Sequence, residues 1–152
     1  EAVKKIAVSY PLIDIIYPVH LNPNVRNPAR EMLGEIENVK LIEPADYVSF
    51  VEIMRSAKII LTDSGGIQEE APAFGKPVLV LREKTEREEA LEAGTVRLVG
   101  TDKESIVTEF ERIYIDQDEY RKISKSKNPY GEGDAASEII KSISEYLKGR
   151  YG

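Results

Sequence analysis

The sequence has no cysteine, a single histidine, no basic tract and no long apolar run. Without cysteine the chain can form neither a disulfide framework nor a thiolate nucleophile, and this composition fits a cytoplasmic protein. The net charge of −6 argues against nucleic-acid binding over a broad surface, although a local pocket could still bind one anionic small molecule. No apolar run approaches the roughly 20 residues that cross a bilayer, and no signal peptide is visible. We therefore expect neither nucleic acid nor a membrane as a partner.

Short β-branched runs alternate with amphipathic segments along the 152 residues, a length that predicts one domain. The runs are typical of strands buried on both faces and are predicted at 13–19, 39–42, 58–62, 77–81 and 95–99. Helices are predicted at 27–37, 46–57, 66–74 and 86–93, and then in a C-terminal region of about 102–148, at 102–115, 117–125 and 134–148. This alternation predicts an α/β fold with a parallel sheet and right-handed crossovers.

Local signals refine these elements. Asp46 precedes the second predicted helix and is expected to cap it. Gly75 is expected to end the third. The chain opens at Glu1 directly in a helical pattern, as expected of a fragment that starts partway through a domain. One apolar face is predicted for the second helix, from side chains at helical spacing: Tyr47, Phe50, Val51 and Met54.

The stretch LTDSGGIQEE, at 61–70, contains Asp-Ser-Gly-Gly, which also surrounds the nucleophilic serine of trypsin-like proteases. A serine triad needs a histidine base, and His20 is available for that role. The parallel α/β pattern does not match the antiparallel barrels of trypsin-like enzymes, however. An α/β-hydrolase would need G-x-S-x-G, whereas Thr62-Asp63 precedes Ser64 here. The context therefore argues against a nucleophilic serine.

The same stretch lies between a predicted strand and a predicted helix, which is typical of a turn that binds an anion. Helix N-termini expose unpaired N–H groups, and Gly65 and Gly66 would let a phosphate approach the backbone. Ser64 would add a hydroxyl donor or merely cap the helix. Glu70 lies about 9 Å along the axis from Ser64, at 1.5 Å per residue, where its carboxylate could accept both hydroxyls of a ribose. The spacing alone leaves both nucleotide-diphosphate binding and plain helix capping open.

Five longer stretches are more specific than these physical arguments. They are YPVHLNPNVR (17–26), LIEPADYVSFVEIM (41–54), LTDSGGIQEEAPAFGKPVLVLRE (61–83), EAGTVRLVGTD (92–102) and NPYGEGDAAS (128–137). Together they resemble the UDP-N-acetylglucosamine 2-epimerase family of the non-hydrolysing type, over nearly the whole chain. The resemblance implies the C-terminal of two Rossmann-like domains in a GT-B-like architecture. The N-terminal domain would be absent, as would this domain's first strand, which carries a G-H-R-R motif in the family.

The resemblance also implies a function. The family interconverts UDP-GlcNAc and UDP-ManNAc by eliminating UDP to leave a 2-acetamidoglucal and then adding UDP back, with no metal and no nicotinamide cofactor. The carboxylates proposed for proton transfer belong to the N-terminal domain, so this fragment is expected to hold UDP and to be inactive alone. The implied partners are UDP, a UDP-N-acetylhexosamine and the N-terminal domain of the same enzyme. Family members are often homodimers, and polysaccharide biosynthesis is the implied pathway.

Residue by residue, the resemblance implies a UDP site in this chain. His20 matches the histidine of the YPVHLNP motif, near the sugar phosphate or an allosteric UDP-GlcNAc site, and is a candidate catalytic residue. The remaining matches are Ser64, Gly65 and Gly66 for the phosphates, Glu70 for the ribose, Arg87 for UDP, and Phe50 and the backbone near Ala45 for the uracil pocket.

Plainer interpretations stand beside these roles. His20 would form a hydrogen bond within its loop, and Phe50 would pack in the core. Arg87 lies in the charged run EKTEREEALE, which is typical of a solvated helix face. The family commonly has TERPE where this chain has TEREE, so Glu88 replaces a proline and could pair with Arg87. The segment 128–131 is first of all a turn.

Other functions stay open on the sequence. A hydrolysing epimerase or a GT-B glycosyltransferase would also suit the spacing of SGG and EE, whereas the flanking EAPAFGKPVLVLRE favours the non-hydrolysing family. A non-catalytic α/β module, such as a receiver domain, would need an acidic cluster near its first strand. The first visible strand ends instead in YPVH, which argues against that module.

Overall fold

The computed structural model describes residues 1–131 and 133–151, with the side chain of residue 151 left out. The helices are α1 (Ala2–Ser9), α2 (Pro23–Leu33), α3 (Tyr47–Ser56), α4 (Gly65–Glu70), α5 (Glu88–Glu92), α6 (Lys103–Ile115), α7 (Gln117–Ser124) and α8 (Ala135–Tyr151). A 3₁₀ turn, Ala71–Phe74, follows α4 directly. The strands are β1 (Ile15–Pro18), β2 (Val39–Ile42), β3 (Ile60–Thr62), β4 (Val78–Val80) and β5 (Val96–Leu98).

All of these strands pair in parallel, as predicted, and they divide between two sheets. β1 pairs with β2, and Ile15 lies opposite Val39. β4 lies between β3 and β5, and Leu79 has Leu61 on one side and Arg97 on the other. The carboxyl ends of β3, β4 and β5 therefore meet at one edge, which is where ligands bind in open α/β sheets.

Helices cover both faces of the three-stranded sheet, because the side chains of β4 alternate between two apolar clusters. Leu79 packs with Ile6, Phe110 and Ile113 from α1 and α6. Val78 and Val80 pack on the other side, with Met54 of α3 and Ala90 of α5 among their neighbours. Every residue of β4 is buried, as expected of a central strand in a sheet with helices on both faces.

Two local signals in the sequence are confirmed. The Asp46 carboxylate accepts a hydrogen bond from the backbone N–H of Ser49, at 3.1 Å, and so caps α3. Gly75 ends the 3₁₀ turn in a left-handed conformation, with φ at 60°. Residues with a Cβ rarely adopt that backbone angle, so glycine is the natural stop before β4.

Two predictions about helices were wrong in detail. α2 begins at Pro23 rather than at residue 27, because the Asn22 side chain accepts a hydrogen bond from Asn24 N–H at 2.9 Å and Pro23 suits the first helical position. The helix predicted at 66–74 is α4 followed by a tighter 3₁₀ turn that contains Pro72.

The apolar face predicted for α3 is shorter than expected. Met54 is buried, and Phe50 and Val51 pack half-buried beside it. Tyr47, however, is 67% exposed.

α8 carries a row of exposed apolar side chains, which we call the α8 stripe: Ile139, Ile140, Ile143, Tyr146 and Leu147. They recur at helical spacing along a helix whose described residues are all exposed. Within the described part of the chain, no helix is both long enough and apolar enough to cross a membrane.

Candidate functional site

The LTDSGGIQEE stretch forms a turn between the carboxyl end of β3 and the start of α4. Thr62 is the last residue of β3, and its hydroxyl oxygen accepts a hydrogen bond from Ser64 N–H at 3.0 Å. Ser64 occupies the N-cap position of α4, but its side chain makes no capping hydrogen bond. The hydroxyl is therefore not committed to the helix, and it lies beside the first backbone N–H groups of α4, which have no intrahelical acceptor.

The two glycines of the turn have different surroundings. A Cβ on Gly65 would lie 3.2 Å from both Cζ and Nη2 of Arg87, so the guanidinium packs directly over this part of the backbone. A Cβ on Gly66 would meet only Ser64 Oγ, at 3.9 Å, and Gly66 is exposed. The open approach predicted for both glycines thus holds at Gly66, whereas Gly65 makes room for an arginine.

Arg87 is held over the turn by acidic neighbours. Its Nε donates to Glu69 Oε1 at 2.8 Å, and its Nη1 lies 3.4 Å from Glu86 Oε2. The hydrogen bond to Glu69 and the charge of that carboxylate raise the pKa of Arg87, so it is cationic at any physiological pH. Glu88, which the sequence offered as a partner, lies instead in the first turn of α5.

Glu70 ends α4 and lies near the start of α3. A hydrogen bond from the Tyr47 hydroxyl to Glu70, together with the negative charge of that carboxylate, raises the pKa of the phenol. Glu70 is half-buried, so its carboxylate is accessible beside an exposed phenol. This pair was not predicted, because the helical spacing of Tyr47 indicated an apolar contact.

The residues matched to a base pocket lie on the neighbouring segment. Ala45 is half-buried and immediately precedes the Asp46 cap of α3. Phe50 lies one turn into α3 and packs half-buried with Met54 and Ala71. Phe50 therefore packs as the plainer interpretation predicts, and it leaves part of its ring accessible.

His20 follows β1, in the two-stranded sheet. Its side chain is exposed, and Nδ1 accepts a hydrogen bond from Asn22 N–H at 3.1 Å. The nearby Arg26 and Arg30 both approach Glu43 Oε1, at 3.1 and 3.9 Å. The local hydrogen bond agrees with the plainer interpretation of His20 as a loop residue.

Two further residues contribute to the surroundings of Arg87. Partial burial is the main cause of the raised pKa of Tyr130, and the charges of Glu89, Glu69 and Arg87 also affect this pKa. The turn 128–131 is confirmed, since Asn128 Nδ2 donates to Gly131 O at 2.9 Å. Gln68 is the other contributor, and it is completely buried. Tyr130 lies in one of the stretches that resemble the family, whereas Gln68 was missed by sequence reasoning, because it acts through a contact with a distant segment.

The described residues include no group of three or more histidine, aspartate or glutamate side chains arranged to hold a metal ion. The site instead offers hydrogen-bond donors and one cation: the N–H groups of the turn, the Ser64 hydroxyl and Arg87. Such donors suit phosphate oxygens. One turn away, the Glu70 carboxylate is an acceptor and suits hydroxyl groups.

Comparison with known proteins identifies the family of this chain. The profile of the UDP-N-acetylglucosamine 2-epimerase family matches residues 1–144. The UDP-N-acetylglucosamine 2-epimerase of Salmonella typhimurium is 54% identical over 146 residues, which are 96% of this chain and 39% of that protein.

Solved structures agree. A putative UDP-N-acetylglucosamine 2-epimerase from Listeria monocytogenes superposes with a TM-score of 0.92 at 43% identity, over 97% of this chain and 40% of that one. The UDP-GlcNAc 2-epimerase of Neisseria meningitidis, bound to UDP-GlcNAc, gives 0.89 at 46% identity, over 95% and 39%. The chain spans about two fifths of the length of these proteins, and it belongs to the UDP-N-acetylglucosamine 2-epimerase family.

Proposed function

We propose that this chain is the UDP-binding domain of a UDP-N-acetylglucosamine 2-epimerase, which interconverts UDP-GlcNAc and UDP-ManNAc by eliminating UDP and adding it back. The observation that carries the proposal is the packing of Arg87 over the Ser64–Gly66 turn. A cation and a row of free N–H groups converge there, at the carboxyl edge of β3. The relative from Neisseria meningitidis, which is bound to UDP-GlcNAc, supports the choice of nucleotide.

The turn would hold the diphosphate and stabilise it as a leaving group. Elimination breaks the bond between C1 of the sugar and the β-phosphate oxygen, so negative charge develops on that phosphate. Gly66 leaves the backbone open to a phosphate oxygen, and the Ser64 hydroxyl has no capping bond to give up. Donors fixed before the reaction are the kind that stabilise developing charge at little reorganisation cost.

The nucleoside would extend from the turn toward α3. Glu70 would accept the ribose hydroxyls, with Tyr47 as its hydrogen-bond donor. Phe50 and the backbone near Ala45 would border the uracil. His20 remains a candidate for the sugar phosphate or a second UDP-GlcNAc site. The protons at C2 would be moved by carboxylates of the N-terminal domain, so this chain alone would not turn over substrate.

A strand that precedes α1 would complete the domain. Among the described strands, β1 pairs only with β2 and β3 only with β4, so each has a free edge. Ile15 and Leu61, one from each of these strands, pack against the same apolar cluster. A parallel strand between them would join the two sheets into one and would bury this apolar surface.

Hydrogen exchange can test the added strand. Ile60 N–H donates to Pro77 O at 2.9 Å, toward β4, so the Leu61 N–H points to the free edge, since successive amides alternate along a strand. In a chain extended at its N-terminus, we expect the Leu61 amide to become strongly protected, while the Ile60 amide is protected in both forms. Equal exchange of Leu61 in the two forms would contradict the added strand.

The N-terminal domain would also cover the α8 stripe. The chain spans about two fifths of its relatives, so the additional length is available in a full enzyme. Exposed apolar rows of this kind usually mark an interface. Sedimentation of the chain, alone and with the N-terminal domain, would test this contact and the homodimer that the family resemblance implies.

Calorimetry with UDP tests the binding site itself. We expect one UDP site, with affinity reduced at least about tenfold in Ser64→Ala and in Glu70→Ala, because each loses a direct hydrogen bond. Asp118→Ala, at an exposed ion pair on α7, is the matched control and should bind UDP as the unmodified chain does. Equal UDP affinity in all three variants would overturn the site assignment.

Activity requires the N-terminal domain as well. With that domain supplied, we expect UDP-GlcNAc to give UDP-ManNAc without net loss of nucleotide sugar. Release of free UDP and ManNAc would instead identify a hydrolysing epimerase, and transfer of the sugar to an acceptor would identify a glycosyltransferase. Nuclear magnetic resonance of the products distinguishes the three outcomes.

A further inference from the structure

A buried glutamine connects the phosphate turn to the segment that carries Arg87. Gln68 is completely buried, and a buried amide is costly unless its hydrogen bonds are made. Both ends of the side chain have partners. Nε2 donates to Ser64 O at 3.3 Å, and Oε1 accepts from the Thr85 hydroxyl at 2.6 Å.

Thr85 extends this connection to Arg87 itself. Its Oγ1 accepts a hydrogen bond from Arg87 N–H at 3.2 Å. The three hydrogen bonds therefore run in one direction, from Arg87 N–H through the Thr85 hydroxyl and the Gln68 amide to the carbonyl of Ser64. We call this chain the Gln68–Thr85 relay. In a low-dielectric interior, such consecutive hydrogen bonds polarise and strengthen one another.

Arg87 is thus held at two separate points by adjacent residues of α4. Gln68 fixes its backbone through Thr85, and Glu69 fixes its guanidinium through Nε. Both holding residues lie on the helix whose first turn forms the anion site, so the position of Arg87 is defined relative to that turn. The guanidinium consequently rests over Gly65 rather than extending into solvent.

We infer that Gln68 and Thr85 are positioning residues that place Arg87 at the distance from the Ser64–Gly66 turn at which both can bind one diphosphate. The inference rests on the proposed UDP site. Neither residue needs to touch the ligand, because Gln68 is buried and the Thr85 hydroxyl is already engaged at both ends. The relay also explains why the one buried side chain of α4 is polar.

The Nε–H resonance of Arg87 reports this geometry without any ligand. In the ¹⁵N-labelled chain, its hydrogen bond to Glu69 should give a shifted, protected signal, which Arg87→Lys identifies by its disappearance. Gln68→Met and Thr85→Val keep the side-chain volume and remove the hydrogen bonds. We expect both variants to move this signal toward the position of a solvent-exposed arginine. Thr85→Ser keeps the hydroxyl and should leave the signal where it is in the unmodified chain.

The same variants are then titrated with UDP. We expect about tenfold weaker binding in Gln68→Met and Thr85→Val and less than about threefold in Thr85→Ser, as for lost and retained hydrogen bonds at one contact. Ile113→Val, in the core on the opposite side of the sheet, controls for a general loss of stability and should leave the Arg87 signal unchanged.

The outcomes separate the two proposals. An unchanged Arg87 signal in well-folded Gln68→Met and Thr85→Val would overturn the positioning role, whatever the affinity for UDP. A displaced signal with undiminished UDP affinity would also overturn it, because the relay would then not serve binding. An unmodified chain, joined to its N-terminal domain, that binds no UDP would overturn the proposed function instead.

Discussion

Arg87 and Gly65 lie in contact: the guanidinium carbon is 3.2 Å from the position that a Cβ on Gly65 would occupy. This contact explains why position 65 is a glycine. A left-handed backbone is not the explanation, since neither Gly65 nor Gly66 has a positive φ. The contact also separates the roles of two neighbouring glycines that look identical in the sequence.

Replacing Gly65 by alanine and replacing Gly66 by alanine should therefore have different effects. Gly65→Ala should displace Arg87, which is a flexible side chain, so we expect less than about 1 kcal/mol of change in the free energy of unfolding. The Arg87 signal should shift. Gly66→Ala should leave that signal in place, because its nearest neighbour is 3.9 Å away, yet block the approach of a phosphate. Calorimetry should show weaker UDP binding in both; normal binding in Gly66→Ala would exclude close approach there.

Ser64→Ala should affect binding far more than stability. Ser64 makes no capping hydrogen bond, so its loss should cost less than the ~1 kcal/mol of a typical N-cap. Asp102 supplies the comparison, since it accepts from Ser105 N–H at 2.9 Å at the start of α6. Urea unfolding should show about 1 kcal/mol lost in Asp102→Ala and little in Ser64→Ala. The reverse order would mean that Ser64 is a structural cap.

The Tyr47 phenol should titrate above its ordinary value of 10.0, because it donates a hydrogen bond to the Glu70 carboxylate. A raised folded pKa means that this contact stabilises the fold fully below pH 10 and is lost as the pH rises through the folded pKa. Glu70→Gln removes the charge and should lower the pKa of Tyr47. Nuclear magnetic resonance of ¹³C-labelled tyrosine measures this pKa, and Tyr47→Phe assigns the signal. An unchanged pKa in Glu70→Gln would disprove the pair.

Arg97 should be the most important charged residue for stability. It donates to Glu109 at 2.8 Å and also to Glu119, and all three side chains are largely buried. Arg97→Met would leave the two partly buried carboxylates with only Arg112, which lies 3.2 Å from Glu109 and 3.3 Å from Glu119, so we expect a loss of about 1–3 kcal/mol, discounted for residual exposure. Arg121→Met, at an exposed pair, should lose under about 0.5 kcal/mol. Thermal unfolding compares the two; equal effects would contradict a role for burial.

The strands and caps could be predicted from the sequence because their signals are local. Apolar runs gave each strand to within a few residues, and Asp46 and Gly75 were correctly assigned as helix boundaries. The start of α2 was placed late because Asn22 and Pro23 were not recognised as its N-cap and its first helical residue. In the structure, Pro23 occupies the first helical position and Pro28 lies inside the helix.

The candidate residues of the turn could be named from the sequence, but their arrangement could not. The stretch LTDSGGIQEE, placed between a strand and a helix, indicated an anion-binding turn. The residues around Gln68, however, do not reveal that its side chain accepts a hydrogen bond from Thr85, seventeen residues later. Whether Glu69, Glu86 or Glu88 pairs with Arg87 likewise depends on how β4 and its following loop return to α4. Contacts between distant segments follow from the packing of the whole domain, which residue spacing does not encode.

The position of Arg97 has one more consequence. β5 pairs with β4 alone among the described strands, so the backbone N–H and C=O groups on its outer side could pair with a strand of another protein molecule. A strand of three residues with a charge at its centre, tied down by carboxylates from α6 and α7, makes a poor template for intermolecular β-pairing. The cation that holds α6 and α7 to β5 thus also disfavours pairing of this edge strand with another chain.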